Sequence, residues 1–522
     1  MEGHTADESA IKRVVILGGG SAGWMSAAYL QARLGESVEI VVIASPSIGS
    51  IGVGEATVPS IKEQFFDVLG ITEDEWMPAC NATYKLGIRY ENWNSPPSVN
   101  KLDYFYHLFG ELPELNEIPL SHYWIAEQLK KKATNSFSKS CYSAHVLCEN
   151  LRAPFDKEQN PVAPYAYHFD AGKLVEFLKK WCSKREVLLH EHDVIGVEAN
   201  SLGRIAAVVM NNGDKVYGDF FVDCSGFRGT LIKDFLKEPF ISFKSSLPTD
   251  SAVSINTPLL PKEEIRNFTT AKAMNSGWTW QTPLANRSGN GYVFASDFCS
   301  SEKAEAEIRE LLGTDEPARV IRFESGRTRR AWVKNCVSIG LASGFLEPLE
   351  STGLYFIYAS LYQLVQHFPD KTMDPSFSGA FNDKVAYMID DVRDFIIMHF
   401  LTAKRDDSPF WKYCRHGLLI PDSLTELLDA HSSGIPIKRG YGDLNNPYSR
   451  FHSEFDRFWT NSNYQSVLCG VGSLPKKSLP IIQLNQSLFN YSNKMFEKIR
   501  SEQTWLLENT IPHKEYIHLH KP

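Results

Sequence analysis

Apolar positions near the start of the chain follow the order of a strand, a helix and a second strand. The apolar run Val14–Leu17 predicts the first strand, the helix-forming residues Trp24–Ala32 predict the helix, and the β-branched run Val38–Ile43 predicts the second strand. Two strands joined by a helix in this way are typical of the parallel sheets of α/β proteins. The pattern therefore predicts an α/β fold.

The turn between the first strand and the helix carries Gly18, Gly20 and Gly23 in the spacing G-x-G-x-x-G. Side chains there would block a tight turn, the approach of backbone to a pyrophosphate, or helix-on-strand packing. A phosphate would meet the free N–H groups of the helix N-terminus. The turn therefore indicates a dinucleotide site, and a tight turn without any ligand is the alternative.

One feature of such sites is missing from this chain. An acidic residue at the end of the second strand usually hydrogen-bonds the ribose, but Ala44 and Ser45 follow Ile43. We expect the ribose contact to come from elsewhere, with the Ser45 hydroxyl as a candidate.

Two later segments have strand patterns that end in small residues. They are Asp219–Val222, followed by Asp223–Gly226, and Asn335–Gly340, followed by Leu341–Gly344. Open α/β sheets bind their ligands at such strand ends.

Apolar residues recur with helical spacing from Leu354 to Phe368, and Pro369 ends the pattern. We expect this helix to start at Glu350. Its N-terminus would offer the N–H groups of Thr352 and Gly353 to an anion. Ordinary capping of the helix by Ser351 or Thr352 is the alternative.

Composition narrows the class of protein. The chain has 522 residues, of which 43% are apolar and 12% aromatic, enough for one large or two medium cores. The net charge of -8 argues against binding to nucleic acid or to an anionic membrane surface, because both are negatively charged. No apolar stretch has the length of a membrane span. The nine cysteines lack C-x-x-C spacing, so we expect no metal site and a reducing cytoplasm.

Several separated motifs occur together in this order along the chain. They are the glycine turn, G-V-G-E-A-T at Gly52–Thr57, the lysine run Ala82–Gly87, D-C-S-G-F-R-G at Asp223–Gly229, W-x-W at Trp278 and Trp280, and E-P-L-E-S-T-G at Glu347–Gly353. With these motifs the chain resembles the flavin-dependent tryptophan halogenases from Val14 to the C-terminal region.

The resemblance implies an FADH2-dependent halogenase of secondary-metabolite biosynthesis. In that family reduced FAD reacts with oxygen to a flavin hydroperoxide, and attack by chloride or bromide gives hypohalous acid. This acid then halogenates the indole ring of tryptophan in a separate pocket. The resemblance also implies an FAD-binding Rossmann-type box with mixed sheets, formed by residues 12–98 and 165–370. Residues 99–164 and 371–522 would form a more helical substrate-binding module packed on it as a single compact unit.

The resemblance assigns roles to specific residues. Lys85 and Glu350 would be catalytic, and Thr352 and Gly353 would bind the halide. Trp278 and Trp280 would form a barrier between flavin and substrate, and no metal is implied. The cofactor would be bound by Gly18, Gly19, Gly20, Ala22, Gly23, Ser45, Ile48, Ile51, Val53, Ala56 and Leu341. The substrate would be bound by His107, Phe109, Glu350, Tyr448, Glu454, Phe458 and Trp459.

The two catalytic residues have physical reasons for their roles. As an ammonium, Lys85 can polarise hypohalous acid by a hydrogen bond; as a neutral amine, favoured by burial, it can become a haloamine. Electrophilic attack creates a cationic ring, which the Glu350 carboxylate at about 4 Å would stabilise by roughly 4 kcal/mol. Glu350 can also remove the ring proton. A solvated lysine and ordinary core packing of the aromatic residues are the alternatives.

Three positions depart from the family pattern. Leu108 replaces a common proline, Thr282 replaces the isoleucine that closes W-x-W-x-I-P, and Pro447 replaces a tyrosine that helps to hold the substrate backbone. The resemblance makes free tryptophan the first choice of substrate. Because of these departures, another indole, a phenol and a tryptophan within a peptide are the alternatives. A flavin aromatic monooxygenase and a non-catalytic FAD-binding protein are the competing functions. Because only one fingerprint is present, we expect a separate flavin reductase to supply FADH2, and a homodimer is possible.

Overall fold

The computed structural model describes residues 6–47, 49, 55–97, 103–131, 135–437 and 458–519. The chain divides into two compact units. Unit 1 comprises residues 1–82, 169–243 and 323–390, and unit 2 comprises residues 83–168, 244–322 and 391–522. Each unit is thus assembled from three separate stretches of chain.

Among the described residues the strands are short, and all except β26 lie before residue 346. In chain order they are β1 (Arg13–Leu17), β2 (Glu39–Ala44), β3 (Glu55–Ala56), β4 (Thr83–Lys85), β5 (Gly87–Glu91), β6 (Tyr104–Leu108), β7 (Glu114–Leu115), β8 (Ile118–Pro119), β9 (Arg152–Asp156), β10 (Ala166–Phe169), β11 (Leu188–Glu191), β12 (Val194–Ala199), β13 (Ile205–Met210), β14 (Lys215–Tyr217), β15 (Phe220–Asp223), β16 (Phe240–Ser242), β17 (Ser251–Pro258), β18 (Thr269–Met274), β19 (Gly277–Pro283), β20 (Arg287–Phe294), β21 (Ala318–Arg322), β22 (Gly326–Thr328), β23 (Trp332–Val333), β24 (Cys336–Ser338), β25 (Gly344–Phe345) and β26 (Thr510–Pro512).

The longest helices lie in the C-terminal third of the chain. In chain order the α-helices are α1 (Ala6–Ser9), α2 (Ser21–Leu34), α3 (Asp67–Leu69), α4 (Glu73–Trp76), α5 (Leu120–Leu129), α6 (Phe137–Cys141), α7 (His145–Glu149), α8 (Ala171–Ser183), α9 (Ser301–Leu312), α10 (Gly353–Gln366), α11 (Pro375–Thr402), α12 (Pro409–His416), α13 (Asp422–Ser432), α14 (Asn461–Gly470), α15 (Pro480–Leu484), α16 (Gln486–Asn509) and α17 (His513–Leu519). Short 3-10 helices occur at Gly35–Ser37, Gly226–Arg228, Gly340–Ala342 and Pro348–Glu350, and π-helices at Lys62–Phe66 and Thr230–Phe235.

Unit 1 is built on a six-stranded sheet in the order β11-β2-β1-β15-β24-β23. The first five strands run parallel, and β23 is an antiparallel edge strand. The strand order reverses at β1, so its carboxyl end faces the crevice in which such sheets bind ligands. The predicted strand–helix–strand start is confirmed as β1, α2 and β2, and the predicted later strands are confirmed as β15 and β24.

Unit 2 is built on a seven-stranded sheet in the order β21-β17-β20-β19-β18-β5-β6. Its pairs are antiparallel except for the parallel pair β18–β5. One core of this unit joins β6 to α5, α6, α7 and α16 through Tyr106, Tyr123, Phe137, Leu147 and Leu506. The α/β class with mixed sheets and a helix-rich C-terminal part is therefore confirmed.

The start of the helix predicted at Glu350 was wrong. Glu350 lies in a separate 3-10 turn that begins at Pro348. Ser351 follows with a φ of 62°, a left-handed conformation that an α-helix does not contain, and α10 starts at Gly353. The left-handed residue therefore separates Glu350 from the helix.

The nine cysteines are all buried and free. Among the described residues, no cluster of His, Cys, Asp or Glu could hold a metal ion. Over the same part of the chain, no helix is both long and apolar enough to cross a membrane.

Candidate active site

The glycine turn of unit 1 holds β1, β15 and α2 in close contact. Gly18 has a φ of 133°, its N–H donates to the Ile43 carbonyl at 2.9 Å, and a Cβ on it would lie 2.2 Å from the Cys224 carbonyl oxygen. A Cβ on Gly23 would lie 1.8 Å from the Gly18 oxygen. These two glycines are therefore required by packing.

Gly20 has a different role. A Cβ there would meet nothing within 4 Å, and no side chain caps the N-terminus of α2, for which Gly20 is the N-cap. Open space in front of uncapped helix N–H groups fits a pyrophosphate. The residues present thus fit the adenosine diphosphate part of FAD.

Other residues assigned to the flavin lie around the same strand ends. Gly340 has a φ of 69°, and a Cβ on it would lie 2.7 Å from the Ala22 Cβ, which places the Gly340–Ala342 turn with Leu341 beside the start of α2. Ala56 lies in β3. Ile48, Ile51 and Val53 lie outside the described residues.

Ser45 makes an unexpected contact. Its hydroxyl donates to the Oδ1 atom of Asp193, and the Ser47 hydroxyl donates to the same atom at 2.8 Å. Asp193 follows β11, which is the parallel neighbour of β2. Asp193 was not predicted from the sequence, although the absence of an acid after β2 indicated that another residue could take its place.

The turn before α10 buries an acid and leaves the start of the helix uncapped by a side chain. Glu350 is 2% exposed. The Thr352 hydroxyl is buried, caps no helix N–H group and finds no hydrogen-bond partner among the described residues. A Cβ on Gly353 would meet nothing within 4 Å. The alternative of capping by Thr352 is therefore wrong, and the helix start fits a halide.

Lys85 is fully buried at the end of β4, where it pairs with Ala166 of β10. Its Nζ atom lies 5.2 Å from the centre of the Phe109 ring, within the range of a cation–π contact. The alternative of a solvated lysine is wrong. A buried lysine is rare, and its position next to an aromatic ring suits a catalytic role better than a role in solubility.

A buried relay fixes the strand that carries Lys85. The Thr269 hydroxyl lies 2.9 Å from Nε2 of His168, whose Nδ1 lies 3.3 Å from the Thr83 hydroxyl. Thr83 in turn donates to the Pro283 carbonyl at 2.7 Å. Thr83 therefore accepts from Nδ1, so the Nδ1 atom of His168 carries a proton. Burial, and then the charge of Lys85, keep the pKa of His168 well below its usual value.

An aromatic cluster lies in the same unit. The Trp459 ring stacks on Phe395 with 4.0 Å between ring centres, and His107 lies 5.9 Å from Trp459 and 5.7 Å from Phe395. Phe458 contacts Trp459 edge to face at 4.5 Å. The structure thus brings together three of the predicted substrate residues. It adds Phe395, which no sequence pattern indicated, while Tyr448 and Glu454 lie outside the described residues.

The start of α14 holds His107 in position. Asn463 accepts a hydrogen bond from the N–H of Thr460 at 2.9 Å, and its Nδ2 lies 3.0 Å from Nε2 of His107. Glu111 accepts from the Thr460 hydroxyl at 2.6 Å and from the Ser462 hydroxyl at 2.8 Å. Burial raises the pKa of Glu111, although both hydroxyls act in the opposite direction.

The W-x-W strand β19 crosses the large sheet of unit 2. Trp278 is buried, and its ring centre is 6.4 Å from that of Trp280. Trp280 fills the space above Gly291, where a Cβ would lie 1.9 Å from the indole. Thr282, which replaces the expected isoleucine, is also buried.

The parallel sheet, the glycine turn at its switch point and the open helix N-terminus define a dinucleotide-binding α/β protein of the flavoprotein type. The tryptophan halogenase family model matches residues 13–487. The chain therefore belongs to the tryptophan halogenase family. It is a flavin-dependent halogenase, with FAD as FADH2 and a halide as co-substrate. Enzymes of this kind generally take reduced flavin from a separate reductase and act on small aromatic substrates.

Similarity extends over nearly the whole chain. It is 40% identical to the tryptophan 7-halogenase KtzQ of Kutzneria sp. (strain 744), covering 98% of both chains. It is 41% identical to the tryptophan 7-halogenase RebH of Lentzea aerocolonigenes, covering 96% of this chain and 97% of RebH. The crystal structure of the tryptophan 6-halogenase SttH from Streptomyces toxytricini superposes with a TM-score of 0.88 at 36% identity, covering 97% of this chain and 99% of that one.

Proposed function

We propose that this enzyme halogenates the indole ring of free tryptophan, with Lys85 and Glu350 as its catalytic residues. The observation that carries the proposal is the complete burial of Lys85, with its Nζ 5.2 Å from the centre of the Phe109 ring. Burial of an ammonium group costs free energy, so a lysine in such a place indicates a function. Polarisation of an electrophile by Lys85, next to an aromatic ring, is a function of this kind.

FAD is proposed to bind through Gly18, Gly19, Gly20, Ala22, Gly23, Ser45, Ile48, Ile51, Val53, Ala56 and Leu341. When bound and reduced, it would supply two electrons to oxygen, and the resulting peroxide-level oxidant would convert the halide into hypohalous acid, with the second oxygen atom leaving as water. Thr352 and Gly353 hold the halide through their N–H groups and the Thr352 hydroxyl. The buried hydroxyl without a described partner supports this role.

Lys85 is proposed to act on hypohalous acid. Its ammonium donates a hydrogen bond to the oxygen, which withdraws electrons from the halogen and makes it more electrophilic. As the carbon–halogen bond forms, the oxygen–halogen bond breaks, and the oxygen leaves as water after taking a proton from Lys85. The neutral His168 supports this role because it places no second positive charge near the ammonium.

Glu350 is proposed to act on the ring. Halogen attack leaves the indole with a positive charge, which the carboxylate stabilises. Glu350 then accepts the proton from the substituted carbon, and the ring regains its aromaticity. Its burial supports this role because electrostatic interactions are stronger away from water.

The indole is proposed to bind against the aromatic cluster. His107, Phe109, Phe458 and Trp459 supply flat apolar surfaces that suit a planar ring. Tyr448 and Glu454 are proposed to hold the polar ends of the amino acid. Trp278 and Trp280 are proposed to keep the substrate apart from the flavin.

Three broader features belong to the same proposal. A separate flavin reductase supplies FADH2 to this chain, the enzyme works in the cytoplasm, and it can form a homodimer. The single dinucleotide fingerprint in the sequence supports the first of these.

The decisive experiment is an assay with defined components. The purified protein is incubated with FAD, a flavin reductase, NADH, and chloride or bromide. Parallel reactions contain free tryptophan, indole, and a peptide with an internal tryptophan. We expect a halogenated product from free tryptophan, recognised by its halogen isotope pattern, with the substituted carbon found by NMR. Product from the peptide alone would overturn the proposed substrate, and a hydroxylated product would overturn the proposed reaction.

A further inference from the structure

The end of β2 in unit 1 lacks the acidic residue that dinucleotide-binding folds usually have there. Dinucleotide folds usually place an acid there to accept hydrogen bonds from the adenosine ribose. This chain has Ala44 at that point, and Ser45 follows it. A ribose bound at the glycine turn would lack its usual acceptor unless another part of the fold supplied one.

The neighbouring strand supplies a carboxylate at this edge. Strand β11 runs parallel to β2, with Glu191 opposite Ala44, so both strands end at the same edge of the sheet. Asp193 comes two residues after Glu191. Its Oδ1 accepts hydrogen bonds from the hydroxyls of Ser45 and Ser47. The carboxylate therefore lies directly at the carboxyl end of β2.

Asp193 is also held in a fixed position. Its backbone carbonyl accepts a hydrogen bond from the N–H of Asn211 at 2.8 Å, which ties the loop to the end of β13. Its carboxylate is accessible to solvent. The hydrogen bonds from Ser45 and Ser47 lower the pKa of Asp193, so the group is ionised at neutral pH.

We propose that Asp193 binds the adenosine ribose of FAD and replaces the acid that is missing from the end of β2. The two serine hydroxyls donate to Oδ1 and orient the carboxylate, and its Oδ2 accepts a hydrogen bond from a ribose hydroxyl. An ionised carboxylate can only accept hydrogen bonds, so the ribose hydroxyl must be the donor in the new contact. The inference rests on the assignment of FAD as the cofactor.

The test compares two flavins with the full-length protein. FAD carries the adenosine ribose and FMN does not, so FMN serves as an internal control for the fold and for the isoalloxazine site. Dissociation constants for both are measured by flavin fluorescence with the parent, Asp193→Asn and Asp193→Ala. Asp214→Asn is the matched control, because it removes a charge from a turn of the β12–β13–β14 sheet of the same unit.

Loss of one hydrogen bond to a charged group weakens binding by about 10-fold to 100-fold. We expect this loss for FAD in both Asp193 variants, with FMN affinity within about twofold of the parent and Asp214→Asn unchanged. The proposal is overturned if FAD affinity is unchanged, or if FMN affinity falls in parallel. A parent that binds neither flavin would overturn the cofactor assignment itself as well.

Discussion

The Nδ2 atom of Asn463 lies 3.0 Å from the Nε2 atom of His107 and donates a hydrogen bond to it. The Oδ1 atom of Asn463 already accepts the N–H of Thr460 at 2.9 Å. The amide nitrogen must therefore face His107. This hydrogen bond holds the imidazole in contact with Trp459 and Phe395.

Asn463→Asp is expected to disturb substrate binding through His107. A carboxylate has no hydrogen to donate to Nε2, so the hydrogen bond that positions the imidazole is lost. Loss of this contact should raise KM for tryptophan by about tenfold, the usual effect of one lost buried hydrogen bond. The measurement is steady-state kinetics, with Asn212→Asp in an exposed turn as control. An unchanged KM would contradict this role for Asn463.

Lys85→Met is expected to abolish halogenation while FAD binding stays normal. Methionine keeps much of the apolar stem and fills the buried site, so the change removes chiefly the donor that polarises hypohalous acid. Product formation should fall by more than about a thousandfold, and flavin reoxidation should continue. Both are followed in the same reaction, by product mass and by flavin absorbance.

The matched control for this change is Lys303→Met, on the exposed surface of α9. It should have parental activity. Normal turnover of Lys85→Met would remove Lys85 from the mechanism.

Glu350→Gln is expected to slow ring substitution without changing the shape of the site. Glutamine has the same size as glutamate but carries no charge to stabilise the cationic ring. A loss of roughly 4 kcal/mol corresponds to about a thousandfold in rate. Single-turnover halogenation of tryptophan measures this step directly, and the exposed Glu302→Gln serves as control. Equal rates for Glu350→Gln and the parent would defeat the electrostatic role.

The parts of the fold that follow local patterns were predictable from the sequence. The start of the chain as β1, α2 and β2 follows from apolar periodicity and from glycines whose Cβ atoms would clash with backbone. The exact start of α10 was not predictable, because it depends on the left-handed conformation of Ser351, which a serine rarely adopts. Sequence motifs indicated Lys85 and Glu350 as site residues. The structure adds that both side chains are buried, which the motifs did not show.

The residues that sequence reasoning missed are separated from their partners along the chain. Asp193 reaches Ser45 only because β11 pairs with β2, and Phe395 stacks on Trp459 from a distant helix. Such contacts depend on strand order and packing, which local periodicity does not contain. The predicted boundaries of the FAD box and the substrate module, and the assigned roles of the site residues, stay predictions.

Acid is expected to destabilise the protein through His513, which is hydrogen-bonded to Tyr84 in β4, the strand that contains Lys85. The His513 Nδ1 donates to the Ile265 carbonyl at 3.0 Å, and its Nε2 accepts from the Tyr84 N–H at 3.2 Å. Both nitrogens are thus used by the neutral ring. Burial lowers the pKa of His513 from about 6.5 to about 4.

The sign of the effect follows from proton linkage. The unfolded chain binds a proton at His513 near pH 6.5, whereas the folded chain binds it only near pH 4, so the stabilising contribution is complete above pH 6.5 and falls between these values. Between pH 8 and pH 5, protonation of this one group in the unfolded chain lowers the free energy of unfolding by about 2 kcal/mol. Urea unfolding of the parent and of His513→Gln at both pH values measures it, with the exposed His416→Gln as control. We expect His513→Gln to be less stable at pH 8 but to lose less stability at pH 5 than the parent. Equal losses in both proteins would show that His513 is not buried in its neutral form.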